Sequence, residues 1–361
     1  MRRIELKQDA DPRRLLVVLP TWVGDFIMAT PTLRAIRTRY ADASITFLAV
    51  PNLVELIESG DWMDQVVTWP VSSRHNHLPS LLALVRRLRR ERFDWAVLLP
   101  NSFRSALIAR LAGPKRCIGY DRDARGWLLT DRLPVHRTNG KITPHPICDD
   151  YGRLARAIGC DNPADRLELF TDPAREAAVE DRLRSLGIAG RRPLVVITPG
   201  ASFGSSKLWL PDRFAAIADR LIDSMGAAVV ITCGPGEELI AHNVAGKMRR
   251  EGHVLADPVA TLGELKALIK RSDLLVVNDT GPRHIAKAFN VPVVTIFGPT
   301  FPEWTDTDYP DERKVSVPVD CGPCQLKICP LDHRCMTGVT VDMVYDRCVE
   351  LLERRLAQAS S

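Results

Sequence analysis

No stretch of this sequence stays apolar for the roughly 20 residues that a membrane-spanning helix needs, which argues against a helical transmembrane protein. The opening residues MRRIELKQDADPRR are charged and run straight into an apolar segment. They do not read as a secretory signal, so the expected compartment is the cytoplasm. Aromatic residues make up only 6% and no basic-aromatic tract occurs, so nucleic acid is not an expected partner. Charge of one sign is not dominant either: 49 basic residues against 44 acidic leave a net +5. Two phosphate fingerprints are missing. No GxGxxG follows the first apolar segment, and there is no Walker A motif, so the common nicotinamide and P-loop signatures do not apply. Internal repeats and low-complexity segments are also lacking.

What is present is a rhythm of short apolar segments separated by helical patterns. In the first half these segments are 15–19, 44–50, 65–69 and 95–99; in the second they are 194–198, 227–232, 274–278 and 293–297. Helical patterns at 32–40, 81–90, 213–225 and 262–272 lie between them. Strands alternating with helices predict parallel sheets, and 361 residues are enough for two domains. The charged stretch 162–193 separates the halves, and its Gly- and Pro-containing end puts the boundary near 190. The expected architecture is α/β, with two Rossmann-like domains (1–190 and 191–339) facing a cleft and a final helix within 340–361.

Two clusters stand apart. RRLRRERF (86–93) carries arginines beside the apolar Leu84, Val85 and Leu88. It is either a solvated helix face or a patch that meets anionic lipid head groups or an anionic substrate. Of the nine cysteines, five are scattered and read as inert thiols; disulfides are not expected without a secretion signal. The other four, Cys321, Cys324, Cys329 and Cys335, have the spacing CxxCx4Cx5C with His333 beside them. That set could hold a structural zinc or an iron–sulfur cluster, or be a loop of reduced thiols.

Ligands of open α/β sheets bind at the carboxyl ends of strands. After segment 194–198 comes PGASFGSSKLWLP, where small residues allow backbone N–H groups to approach an anion and Lys207 adds a positive charge. After 274–278 come Asp279, Thr280 and Gly281, opening a helix whose N-terminal end suits a diphosphate; His284 lies in its first turn. Asp279 could accept from sugar hydroxyls, and Asp279 and Thr280 could equally cap that helix. After 227–232 comes CGPGEELIA, where Glu237 is placed to take a ribose diol. Together these residues predict a nucleotide-diphosphate site in the second half. In the first half, Asp25 lies where the first turn meets its helix, as a cap, as a general base toward an incoming hydroxyl, or as both.

The segments TWVGDFIMATP, VLLPNSFRSALIARLAG, GYDRDARGWLLTDRL, PGASFGSSKLWLP and NDTGPRHIAKAFNVPVVTIFGPT span residues 21 to 300 in order. With them the chain resembles the lipopolysaccharide heptosyltransferases, glycosyltransferase family 9 with the GT-B fold, and within that family the heptosyltransferase II branch. The resemblance implies an inverting, single-displacement transfer from ADP-L-glycero-D-manno-heptose to the lipid-anchored, heptose-bearing inner core of lipopolysaccharide, in peripheral contact with the inner membrane surface. It implies Asp25 as base, Ser202 and Lys207 at the donor phosphate, Thr280, Gly281 and His284 at the diphosphate, Asp279 near heptose hydroxyls and Glu237 at the ribose. No cofactor is implied as required, and the last helix is expected to cross back to the first domain. The chain departs from the family pattern at Pro282 and Arg283, where a small or apolar pair is usual and where Arg283 is expected to add a charge near the diphosphate, and in the four-cysteine cluster. The alternatives that stay open are another nucleotide-sugar transferred to a cell-surface glycan, a GT-B nucleotide-sugar epimerase, and a nucleotide-sugar sensor without turnover.

Overall fold

The short apolar segments become parallel strands, and the central ones are buried on both faces because helices cover both sides of each sheet. The computed structural model describes residues 10–69, 77–137, 139–140, 142–163 and 166–359. The first part of the chain forms β1 (Arg14–Val18), α1 (Val23–Arg39), β2 (Ser44–Ala49), α2 (Val54–Ile57), β3 (Gln65–Thr68), α3 (His77–Arg90), β4 (Trp95–Leu98), α4 (Phe103–Leu111), β5 (Arg116–Tyr120), β6 (Asp131–Leu133) and α5 (Ile147–Ala157). Then follow α6 (Pro173–Ser185), β7 (Leu194–Thr198), α7 (Pro211–Met225), β8 (Ala228–Thr232), α8 (Glu238–Ala245), β9 (His253–Leu255), α9 (Leu262–Arg271), β10 (Leu274–Asn278), α10 (Gly281–Ala288), β11 (Val293–Ile296), β12 (Glu312–Val315), α11 (Arg334–Thr337) and α12 (Val341–Ala359).

The two sheets repeat one topology. The first has the order β3-β2-β1-β4-β5-β6 and the second β12-β11-β10-β7-β8-β9, with every neighbouring pair parallel. In each sheet the winding reverses beside its first strand, between β1 and β4 and between β7 and β10. Those two reversals are where a doubly wound sheet opens a crevice at the carboxyl ends of its strands.

Local sequence explains how the site-bearing helices begin. Pro31 lies inside α1 and cannot donate to the carbonyl of Ile27; the Thr30 hydroxyl donates to that carbonyl instead, at 2.7 Å. Helix α7 has Pro211 in its first turn and ends on Gly226 in the left-handed region, φ 62°. Helix α9 starts with a capping box of Thr261 and Glu264.

The chain divides into two compact units, Met1–Leu167 with Glu303–Thr307, and Glu168–Pro302 with Asp308–Ser361. The division therefore falls at Leu167, earlier than the boundary near 190 expected from sequence. Helix α6 packs on α9, with Lys270 Nζ 2.6 Å from Glu176 Oε1 and Arg182 Nη1 3.4 Å from Glu264 Oε2. The charged stretch is thus mostly the start of the second unit. Helix α12, expected from the resemblance to cross back, packs on α7, β10, β11 and β12 and groups with the second unit. Cys348, Leu351 and Leu352 on α12 are fully buried there, which anchors it. Leu84, Val85 and Leu88 of α3 are buried, while Arg86, Arg87, Arg89 and Arg90 are exposed, as the amphipathic pattern requires.

Candidate active site

Strands β7 and β10 end side by side, with Val277 opposite Thr198. Asn278, fully buried, ties their two loops together. Its amide Nδ2 donates to the Pro199 carbonyl at 2.7 Å and to that of Gly200 at 3.3 Å, while its Oδ1 accepts from the Trp209 N–H at 3.3 Å. Lys207 ends a short 3₁₀ turn over Ser205–Lys207. Its ammonium donates to Asp279 Oδ2 at 2.6 Å and to the Asp279 carbonyl at 2.9 Å, and it lies 4.9 Å from the centre of the Phe203 ring. An ammonium has three donors, so one is left for a further anion.

Asp279 is nearly saturated. Besides Lys207 it accepts from Thr300 Oγ1 at 2.8 Å and from Arg283 Nη1 at 3.1 Å. Burial pushes its carboxyl up, but Lys207, Arg283 and the two hydrogen bonds outweigh that and hold it below the usual carboxylate range. Its two oxygens thus take three side-chain donors, from Lys207, Arg283 and Thr300. Arg283 was expected to add a free charge near a diphosphate. The structure instead buries it completely and closes its guanidinium fork on Glu312, from Nε to Oε1 and from Nη2 to Oε2 at 3.2 Å. Glu312 also accepts from Thr295 Oγ1 at 2.7 Å and lies 2.7 Å from Lys287 Nζ. Burial lowers the Lys287 ammonium to about 8, against the pull of Glu312. Glu312 resists burial through Arg283 and Lys287 and stays ionised. Lys207, Arg283 and Lys287 face two carboxylates, Asp279 and Glu312, so the cluster carries one surplus positive charge.

The first turn of α10 meets this cluster. Thr280 occupies the N-cap position, and its side chain makes no capping hydrogen bond. Gly281 opens the helix; Pro282 after it has no N–H and the Arg283 N–H donates to the Thr280 carbonyl at 3.2 Å, so of these three residues only Gly281 can turn a backbone donor to the site. His284 is held well below the usual histidine range by burial and then by Arg283, Lys287 and Lys207, so its ring is neutral. Its Nδ1, together with Thr198 Oγ1 at the end of β7, is a buried polar atom with no hydrogen-bond partner among the described residues. Ser202 is exposed in the loop after β7. Glu237 bends back on its own loop, its Oε2 accepting the Gly234 N–H at 3.0 Å. A Cβ on Gly200 would come within 1.9 Å of that carboxylate, so a side chain there would displace Glu237.

In the first unit Asp25 is the third residue of α1. The cap position belongs to Trp22, whose side chain makes no capping bond, so Asp25 is a first-turn carboxylate rather than the cap. It lies close enough to the buried Tyr151 of α5 to help raise that phenol, after burial itself. Arg125, fully buried, stitches the loops after β4 and β5. Its Nε donates to the Tyr120 carbonyl at 3.0 Å, its Nη1 to the Pro100 carbonyl and its Nη2 to Asn101 Oδ1 at 2.9 Å. Burial lowers it to about 10, which still leaves it charged at neutral pH.

The four clustered cysteines grade from exposed (Cys321, Cys324) through half-buried (Cys329) to buried (Cys335). Burial raises the Cys335 thiol, and the other three add to the rise. Among the described residues no group of three or more His, Cys, Asp or Glu side chains is arranged to hold a metal ion. Nor is any described helix long and apolar enough to cross a membrane.

Sequence reasoning singled out Lys207, Asp279 and the α10 turn, which the structure brings together, and it missed Asn278, Thr300, Glu312 and Arg125. The Pro282–Arg283 departure was a usable signal for Glu312, since a buried arginine needs a carboxylate somewhere.

Residues 81–334 match the family model described as glycosyltransferase family 9 (heptosyltransferase). The chain is 26% identical over 298 residues to lipopolysaccharide heptosyltransferase 2 of Escherichia coli K12, covering 81% of this chain and 84% of that protein. Among solved structures it is similar to a glycosyl transferase family 9 protein from Veillonella parvula, with a TM-score of 0.82 and 20% identity over 98% of this chain and 99% of the other. It is also similar to the ADP-heptose lps heptosyltransferase II of E. coli, with a TM-score of 0.77 and 24% identity over 94% and 99%. These last two likenesses establish the GT-B fold.

Proposed function

The chain belongs to glycosyltransferase family 9, and from that premise we propose that it moves heptose from ADP-L-glycero-D-manno-heptose to the heptose-bearing inner core of lipopolysaccharide. One observation carries the donor half of this reading. At the β7–β10 reversal, a buried cluster with one surplus positive charge lies with the start of α10, which has no side-chain cap, and with two buried polar atoms that have no partner among the described residues, Thr198 Oγ1 and His284 Nδ1. A diphosphate supplies acceptors for such donors and offsets the charge.

Asp25 takes the proton from the acceptor hydroxyl as its oxygen bonds to the anomeric carbon of heptose. The bond from that carbon to the diphosphate oxygen breaks on the opposite face, and ADP leaves with the electron pair. Lys207, Ser202, Gly281, Thr280 and His284 hold the diphosphate and meet its growing charge. Glu237 takes the ribose. Asp279 orients Lys207. The test incubates the protein with ADP-heptose and a heptose-bearing acceptor, then reads ADP release and product mass. Expected are ADP and a product heavier by one heptose in equal amounts; ADP-heptose consumed without any product gain ends this reading.

The acceptor is lipid-anchored, and α3 presents Arg86, Arg87, Arg89 and Arg90 outward. Each basic residue near an anionic surface contributes about 1 kcal/mol. Weak, salt-sensitive binding to anionic vesicles is therefore expected, and it should be lost on Arg86→Glu with Arg87→Glu. Binding indifferent to salt would remove this part of the proposal.

A structural metal at Cys321, Cys324, Cys329 and Cys335 belongs to the same proposal, supported by the closeness of the first three thiols to that of Cys335 in α11. It predicts close to one equivalent of zinc or iron per chain by elemental analysis. Chelation should lower thermal stability more than turnover at saturating substrate. Metal-free protein of equal stability reduces the segment to a thiol loop.

A further inference from the structure

The cysteine-bearing segment does more than lie near the donor loop. It holds Ser206, the residue just before Lys207, by all of its polar groups. The Ser206 N–H donates to the Lys327 carbonyl at 3.1 Å, and the Ser206 hydroxyl donates to the Leu326 carbonyl at 2.5 Å. The Ser206 carbonyl lies 2.7 Å from His333 Nε2. A carbonyl oxygen only accepts, so that ring nitrogen carries the proton and donates. Ser206 is 1% exposed, so water does not compete for these bonds. The two strands of chain approach so closely that a Cβ on Gly204 would lie 2.3 Å from the Lys327 carbonyl oxygen. The segment is itself moored beyond β11, where the Gln325 N–H donates to the Pro299 carbonyl at 2.8 Å. His333 adopts the left-handed conformation, φ 60°, which turns the chain into α11 and aims its ring at Ser206.

We infer that residues 325–333 are a buttress for the phosphate loop and that His333 is a positioning residue for Lys207, so that donor affinity depends on a side chain that need not touch the donor. The sheet places Asp279, at one end of the Lys207–Asp279 pair. The other end hangs from a loop of glycines and serines that Asn278 holds at its two ends, at Pro199, Gly200 and Trp209, and that this segment holds at Ser206. Loosening it lets the ammonium leave its pairing geometry, and the diphosphate then binds a mobile charge instead of a fixed one. This rests on Lys207 facing the donor phosphates, as proposed above.

Two measurements on the full chain test it. The first is amide hydrogen exchange of the 201–208 region without ligand. Exchange there should quicken by roughly tenfold or more in His333→Ala and return toward the parent in His333→Gln, whose amide N–H can still donate to the Ser206 carbonyl. The second is ADP affinity by calorimetry, expected to weaken roughly 5- to 30-fold in His333→Ala, the range for losing one buried hydrogen bond, and to recover in His333→Gln. Gly204→Ala, which separates the same two segments without altering the histidine, should reproduce both effects. Combined with His333→Ala it should add less than its single effect. If His333→Ala does not fold, His333→Gln and Gly204→Ala carry the comparison. Unchanged exchange in folded His333→Ala overturns the buttress, and quickened exchange with parental ADP affinity overturns the positioning role. A parent protein that binds no ADP would instead count against the donor reading, while the exchange measurement still decides the buttress.

Discussion

Asp25→Asn is expected to lower turnover by roughly 10²–10⁴-fold, the usual worth of a positioned general base, while donor affinity stays within about twofold. Asparagine keeps the size of the side chain and loses only the basic oxygen. The fold should tolerate the change. Asp25 is not the N-cap of α1, so the change leaves the cap position of that helix as it is. The helix itself is held by Phe26, Ile27, Met28 and Ala29, none more than 1% exposed. Single-turnover transfer beside ADP-heptose calorimetry separates the two quantities, with thermal unfolding as the check on folding. A folded variant that binds donor and transfers at the parental rate removes Asp25 from the chemistry.

The central strands were legible because burial on both faces leaves nearly unbroken apolar segments, as in Leu194–Thr198 and Leu274–Asn278. Strands β5, β6, β9 and β12 were not. Arg116–Tyr120 carries an arginine and a glycine, Asp131–Leu133 and His253–Leu255 have three residues each, and Glu312–Val315 is an edge strand rich in charge. The donor loop was legible because glycine, serine and lysine are the residue types that let a backbone meet an anion. Who pairs with whom was not. Asp279 read as a sugar ligand or a cap, and that its carboxylate takes Lys207, Thr300 and Arg283 was not visible. Arg283 read as a charge near the diphosphate, yet Glu312, 29 residues later, takes its fork in the interior. Such pairings depend on which strand lies beside which, and composition carries no trace of that. The same limit applies to Arg125, whose three partners come from two separate loops.

Lys207→Ala should weaken donor binding and slow transfer together, lowering kcat/KM by roughly 10²–10³-fold, the scale of removing one preorganised donor from developing charge. The expected size follows from the neighbours. In the parent, three cations face two carboxylates. Without Lys207 the surplus positive charge is gone, and Asp279 loses the partner that does most to offset its burial. A carboxylate released from that ion pair then repels the incoming diphosphate. Part of the loss is therefore repulsion from Asp279, added to the missing attraction of Lys207. Placing Asp279→Asn on the Lys207→Ala background removes the charge while Thr300 can still donate to the amide oxygen, and Arg283 keeps its fork on Glu312. The double variant should bind ADP more tightly than Lys207→Ala alone, although Asp279→Asn by itself weakens binding by freeing Lys207 from its anchor. Calorimetry with ADP on the three variants, beside transfer rates from ADP-heptose, reads the sign of that coupling. If the double variant binds ADP no better than Lys207→Ala, Asp279 is not the repulsive group. If Lys207→Ala alone binds ADP as the parent does, the diphosphate does not meet this ammonium at all.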